Sequence, residues 1–198
     1  MKYVNFISVD LQRYFTDPEG KAYKRRSSVD FVRDTLIPYF RANKLKVAEI
    51  VSDYRQPRPG DRGDCCWPGT PGYESIITNE IKKSVWVKCM NSPIWTRDNI
   101  GDPDKEPGIP RQDGQLFQKW LDNNIGEMNI KTEVVLFGLT SDCCVLSTAQ
   151  ELNWRGYKVF ILKEAVDNYS GDPIEKGQVL KSPMGNWAKT ITWQDIIV

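Results

Sequence analysis

The 198-residue sequence contains no histidine. That absence excludes every Ser-His and Cys-His catalytic pair and every His-liganded metal centre. A catalytic base made from this chain must be an Asp, Glu, Lys, Cys or Tyr. An excess of either charge is also lacking: 27 Lys and Arg stand against 26 Asp and Glu, for a formal net charge of +1. Nothing here resembles the basic stripe of a nucleic-acid-binding surface. The short cluster Lys21, Lys24, Arg25, Arg26 reads as a solvated loop. No apolar run reaches the ~18 residues of a membrane-spanning helix. The N-terminal run Tyr3 to Val9, broken by Asn5 and Ser8 and ended by Asp10, has a buried-strand pattern and no signal-peptide cleavage site. The cysteines, Cys65, Cys66, Cys89, Cys143 and Cys144, are odd in number. They fit neither a disulfide framework nor C-x-x-C zinc spacing, so free thiols in a reducing, cytoplasmic compartment are expected.

What is present is alternation. Short β-branched runs at Val47 to Val51, Val85 to Cys89, Glu133 to Phe137, Tyr157 to Leu162 and Lys189 to Thr192 read as strands. Between them lie helical patterns. Ser27-Ser28-Val29-Asp30 opens one, with Phe31, Leu36, Ile37 and Phe40 as its stripe and Pro38 predicting a kink or break. Leu116, Phe117, Trp120, Leu121 and Ile125 mark the inner side of a second. Cys143 to Trp154, closed by Gly156, is a third, and Pro173 to Leu180 a fourth. Arg55 to Gly72 and Ser92 to Gln112 read as long Pro-rich loops, of a length that often carries function. The order implies one domain over residues 1–198: a three-layer α/β/α, Rossmann-like fold with a mainly parallel open sheet.

Ligands of such sheets sit beyond the carboxyl ends of the strands. Asp10 ends the first strand, Lys88 lies near the end of the third, and Cys144 begins the helix after the Glu133 to Phe137 strand. A thiol at a helix N-terminus beside a lysine is expected to ionise below its ordinary ~8.5. By topology alone each residue also has a plainer reading: Asp10 as a turn or cap residue, Lys88 as solvent-seeking, Cys144 as core.

Several segments resemble the isochorismatase-like hydrolases. Val9-Asp10-Leu11-Gln12 with Phe15 resembles their D-x-Q-x-x-F opening. Gly138-Leu139-Thr140-Ser141-Asp142-Cys143-Cys144-Val145, with Thr148-Ala149 and Gly156-Tyr157 after it, is similar to their nucleophile segment. Cys66-Trp67-Pro68-Gly69-Thr70-Pro71-Gly72 resembles their C-x-x-G-T-x-G loop, and Lys88 matches the catalytic lysine by strand position. The resemblance implies a cysteine hydrolase cleaving a C–N bond of a small amide, carbamoyl or ureido compound through a thioester. Cys144 would be the nucleophile, with Asp10 and Lys88 as its catalytic partners. It also implies a cis peptide at Leu139-Thr140 and an oxyanion hole from the amides of Thr140 and Cys144. Gln12, Phe15, Arg55, Trp67 and Trp95 are the candidate substrate-binding residues. The expected partner is a small molecule, not nucleic acid or membrane, and the resemblance implies a homo-oligomer, dimer or tetramer.

The departures are as informative. Where nicotinamidases of this family place D-x-H at a metal, this chain reads Asp53-Tyr54-Arg55. No metal and no cofactor is therefore expected, with Arg55 a candidate source of positive charge in the metal's place. The competing functions are a vinyl-ether hydrolase, against which Cys144 counts, and an inactive scaffold of the same fold.

Overall fold

A computed structural model describes residues 5–60 and 63–197 of the chain. Six strands form the central sheet in the order β3-β2-β1-β6-β7-β8. They are β1 (Phe6–Val9), β2 (Val47–Ser52), β3 (Lys82–Lys88), β6 (Glu133–Leu139), β7 (Lys158–Asp167) and β8 (Lys189–Ile191). All neighbouring pairs are parallel. Two short strands, β4 (Trp95–Thr96) and β5 (Arg111–Gln112), form a separate antiparallel pair.

The strands read as near-continuous apolar runs because both faces of the sheet are covered. On one face, Val135, Phe137 and Phe6 pack with Val29, Val32, Leu36 and Phe40. The helical run behind them comprises α2 (Ser27–Phe31), a π-helical turn (Val32–Leu36) and α3 (Ile37–Ala42). On the other face, Val134, Leu136 and Ile7 pack with Phe117, Leu121, Val145, Ala149 and Leu152. Those side chains come from α4 (Gly114–Asn124) and α5 (Cys144–Trp154). A short α1 (Arg13–Thr16) follows β1, α6 (Pro173–Lys181) joins β7 to β8, and α7 (Trp193–Ile197) ends the described chain.

The structure adjusts several expectations. Pro38 does not break its helix. The wider π-helical turn of Val32–Leu36 precedes it, where a regular α-helix would drive the proline ring into the carbonyl four residues back. β3 begins at Lys82, earlier than its apolar run, because its first residues alternate between half-buried and exposed at the sheet edge. The Ser92 to Gln112 segment contains β4 and β5. Leu116 faces outward, 46% exposed, while Phe117 and Leu121 are buried. Arg26 is not solvated: it is 3% exposed and donates to the carbonyls of Asn168 and Tyr169. The start of the expected first strand, before residue 5, lies outside the described residues. Among the described residues no helix is long and apolar enough to cross a membrane.

Strand order reverses direction between β1 and β6, the central pair. A crevice at that switch point is where an open α/β sheet binds its ligand. Gly138, on β6 against Val9 of β1, permits the close approach there. Its φ is +120°, and a Cβ would lie 2.1 Å from the Val9 carbonyl oxygen.

Candidate active site

Asp10 directly follows β1, with φ of +50°, held by its amide donating to the Ile50 carbonyl at 2.9 Å. Lys88 is the last residue of β3. It starts two strands away from Asp10, roughly 10 Å by sheet spacing, and its long stem crosses the end of β2. Ser52, its register partner on β2, bridges the gap. Lys88 Nζ lies 2.8 Å from Asp10 Oδ2, 2.8 Å from Ser52 Oγ, 2.8 Å from Tyr54 OH and 3.3 Å from Cys144 Sγ. Ser52 in turn donates to Asp10 Oδ1 at 2.8 Å. The Tyr54 hydroxyl and Cys144 Sγ are 3.2 Å apart. With Lys88 donating to its oxygen, Tyr54 has its own proton left to offer the sulfur. Lys88, Ser52 and Asp10 are 0–2% exposed, so this is a dry cluster in which every charge is paired.

Burial sets the resting protonation states. It pushes the Cys144 thiol up to about 12; Lys88 pulls it down, Asp10 pushes it further up, and the Tyr54 hydrogen bond pulls it down. The depressed thiol expected from the helix terminus and the lysine is therefore corrected, because desolvation of a buried thiolate outweighs the neighbouring cation. Burial also opposes the charge on Lys88, but Asp10 foremost, then Cys144 and Tyr54, hold it well above the ordinary lysine value. Tyr54 is raised well above the ordinary tyrosine value, chiefly by burial, and stays protonated. The resting cluster is thus a thiol beside an aspartate–lysine ion pair.

Cys144 opens onto a cavity of about 240 Å³ whose walls include Asp10, Phe15, Arg26, Asn91, Thr140 and Tyr169. Cys143 also lines it and is half-buried, in the N-cap position of α5. The Leu139–Thr140 peptide is cis. The Thr140 carbonyl accepts from the amides of Cys143 and Val145. Among the described residues the amides of Thr140 and Cys144 find no protein acceptor.

Of the other sequence candidates, only Phe15 lines this cavity. Gln12 is fully buried and spent on the backbone: it joins Ser52 N and O at 2.8 and 2.9 Å and reaches the Tyr73 carbonyl at 3.1 Å. Trp67 lines a separate surface depression beside Tyr14 and Thr70. Trp95 belongs to the β4–β5 pair. Sequence reasoning missed Ser52, Tyr54, Asn91 and Arg26. Ser52 and Tyr54 flank Asp53 at the end of a recognised strand, which was a usable signal. Arg26 gave none, because nothing local distinguishes it from Arg25.

Arg55 is also outside the cavity wall. It grips Asp53 with two parallel bonds, Nε to Oδ1 at 3.0 Å and Nη2 to Oδ2 at 2.8 Å. Arg97 adds a bond to Oδ1 at 3.1 Å, and the Gly101 amide one to Oδ2 at 2.9 Å. Burial opposes the charge on Asp53, but the donors from Arg55, Gly101 and Arg97 prevail and hold it below the ordinary carboxylate value. A metal needs free lone pairs and anionic or neutral donors. Both oxygens of Asp53 are committed, and two guanidiniums occupy the surrounding space, so these residues do not fit a metal ion. Among the described residues no group of three His, Cys, Asp or Glu is placed to hold one.

Comparison with known proteins fits this architecture. The chain is similar to a solved isochorismatase-like hydrolase from Alkaliphilus metalliredigens, at 17% identity over 98% of this chain and 95% of that one, with a TM-score of 0.66. It is similar to N-carbamoylsarcosine amidase from Thermoplasma acidophilum at 22% identity, with 95% of each chain covered and a TM-score of 0.63. Pyrazinamidase of Pyrococcus horikoshii in complex with zinc is also similar, at 22% identity over 96% of this chain and 98% of that one, with a TM-score of 0.65. At these identities the likeness is one of fold. No curated protein matches the sequence. The family model described as the isochorismatase domain matches residues 5–195. With nearly the whole chain matched and the parallel sheet in place, the protein belongs to the isochorismatase family of hydrolases.

Proposed function

We propose that the protein is a cysteine hydrolase that cleaves a C–N bond of a small amide, carbamoyl or ureido compound without a metal ion. The observation that carries this reading is Lys88 Nζ within hydrogen-bonding distance of both the Asp10 carboxylate and Cys144 Sγ at the edge of a cavity. A nucleophile, a base and a fixed cation are the parts that acyl transfer through cysteine needs.

In the resting state the thiol carries its proton and Asp10 is the nearest carboxylate. On substrate binding, Asp10 takes the thiol proton while Cys144 Sγ adds to the carbonyl carbon. Lys88 and the Tyr54 hydroxyl balance the sulfur's developing charge. The carbonyl oxygen becomes an oxyanion, for which the unspent amides of Thr140 and Cys144 are the donors. As the tetrahedral intermediate collapses, the C–N bond breaks and the amine leaves with the proton from Asp10. Water then attacks the thioester, giving its proton to Asp10, and the thiol is regenerated with release of the acid. No step passes through Asp53, whose oxygens are occupied by Arg55, Arg97 and Gly101. No disulfide forms among the described cysteines, which suits a reducing compartment such as the cytosol.

The test is to incubate the protein with a panel of small carboxamides, N-carbamoyl and ureido compounds, quench in acid and weigh the intact chain. An acyl adduct on Cys144, absent from Cys144→Ala, supports the reading. Turnover that survives in Cys144→Ala, or an adduct on Cys143 in its place, overturns the assignment.

A further inference from the structure

The cavity beside Cys144 has a second cation whose charge nothing in contact neutralises. Arg26 comes from the basic cluster that the sequence suggests is solvated, yet it is 3% exposed and lines the cavity with Asp10, Phe15 and Tyr169. Its bonded partners are all backbone carbonyls. Nε donates to Asn168 O at 3.2 Å, Nη2 to Tyr169 O at 2.9 Å, and Nη1 to Phe15 O and Lys24 O at 3.4 Å each. The two Nη1 contacts are longer than ordinary hydrogen bonds. A guanidinium has five N–H donors, so one Nη2 hydrogen has no acceptor among the described residues.

The nearby carboxylates do not fill this role. Asp167 accepts from the Ser28 amide at 2.9 Å and pairs with Lys176 at 3.1 Å. Asp142 accepts from the Tyr169 amide at 3.0 Å. Among the described residues no carboxylate approaches within 4.0 Å of the Arg26 guanidinium. Burial drags Arg26 below the ordinary arginine value, and the more distant Asp167 and Asp142 only partly offset it. A buried cation left in this state is costly unless a partner arrives. Lys24, with its Nζ 4.1 Å above the Tyr169 ring, adds positive charge beside that wall. Asp10, the carboxylate in the wall, is already paired with Lys88.

We propose that Arg26 binds a carboxylate on the substrate, so that the molecule hydrolysed at Cys144 is a small anionic amide: an acid carrying a carboxamide, carbamoyl or ureido group. The inference rests on the Cys144 cavity being the substrate site. A volume of about 240 Å³ falls below the range of drug-sized pockets. It suits a short molecule that places its scissile carbonyl at Cys144 and its carboxylate at Arg26. A planar guanidinium is the side chain best matched to a carboxylate's two oxygens.

The experiment measures binding without turnover. Cys144→Ser protein is titrated calorimetrically with matched acid and neutral amide pairs: N-carbamoylglycine and its amide, succinamate and succinamide, oxamate and oxamide. At least one acid should bind about tenfold or more tighter than its neutral partner. Arg26→Gln in the same background should erase that preference, and Arg26→Lys should retain part of it. Unfolding curves of both variants verify that the fold persists; Arg26→Lys keeps the test open if Arg26→Gln does not fold. Equal binding of acid and amide, a preference that survives in Arg26→Gln, or no binding of any acid at millimolar concentration overturns the proposal. Arg26-dependent binding of an acid that the wild type does not hydrolyse would support Arg26 as the carboxylate-binding residue and overturn the hydrolase reading for that compound, so the two failures are distinguishable.

Discussion

Two buried ion clusters sit side by side at the carboxyl ends of β2 and β3, joined by the Asp53 amide donating to the Lys88 carbonyl at 2.8 Å. Both contain an aspartate held by a cation in a nearly dry environment. Around Asp53 every carboxylate oxygen is taken by guanidinium or amide donors, and the charge is spent on fastening loops. Arg55 reaches the carbonyls of Asn99 and Lys105, and Arg97 that of Pro57. Around Lys88 the same kind of pair includes a thiol that is not ionised and a cavity that can admit a molecule. A saturated ion cluster is structure. One that keeps a titratable group at its open edge is equipped for chemistry.

The sharpest way to break the comparison is to remove the key side chain from each cluster. Cys144→Ala should lose about 10⁴-fold or more in turnover and change unfolding free energy by little more than a deleted buried thiol requires. Asp53→Ala should keep turnover within a few-fold per folded molecule, measured on the folded fraction. Loss of turnover in folded Asp53→Ala would show that the two clusters are one functional unit.

Stability should show the reverse ranking. Asp53→Ala leaves two buried guanidiniums without their carboxylate and should cost about 3–5 kcal/mol, read from urea unfolding. A cost below about 1 kcal/mol would mean that solvent reaches Arg55 and Arg97 and that the cluster is not sealed.

A smaller effect separates the charges around the thiol. With Cys144 pushed up to about 12, its reaction with iodoacetamide should climb about tenfold per pH unit from pH 7 to 10, without the plateau of an ordinary thiol near ~8.5. Asp10→Asn removes a neighbouring anion, favours the thiolate and should move this profile to lower pH. Lys88→Met removes the cation and should move it higher. Each displacement should be about one unit or more, by mass spectrometry of the Cys144 peptide. Profiles that coincide in all three proteins would mean the residues do not act on one another.

The smallest expected effect is none at all. Dialysis against a strong chelator should leave both the thermal midpoint and turnover of any active substrate unchanged, because Asp53 is committed to Arg55, Arg97 and Gly101. Loss of either, restored by zinc, would show that a metal displaces the guanidiniums.

Much of this was legible in the residues because the signals were local. Apolar runs located β1, β3 and β6, and the ends of those strands, together with the family resemblance, pointed to Asp10, Lys88 and Cys144 before any coordinates. Gly138 came from the resemblance alone, and only the fold shows why it is glycine: it abuts Val9 of β1, where a Cβ would lie 2.1 Å from the carbonyl oxygen. The errors came where a residue's surroundings are assembled from distant segments. Arg26 sits in a basic run that looks solvated, but it is buried by Phe15, Asn168 and Tyr169. Gln12 lies in a motif suggestive of substrate contact, yet Ser52, 40 residues away, uses its amide group.

The sequence by itself determined the alternating α/β order and the absence of histidine chemistry, and it put forward Asp10, Lys88 and Cys144 as candidate reactive side chains. The first two follow from periodicity and composition; the three side chains follow from strand-end placement together with the family resemblance. Only the tertiary structure decided how those side chains are charged. Whether the thiol rests protonated depends on how much water is excluded around it and on which cations lie within a few ångströms, and neither is written in neighbouring residues. The same holds for Arg26 and Arg55, both arginines in polar loops. Folding gave Arg55 a carboxylate of its own and left Arg26, in the cavity wall, without one.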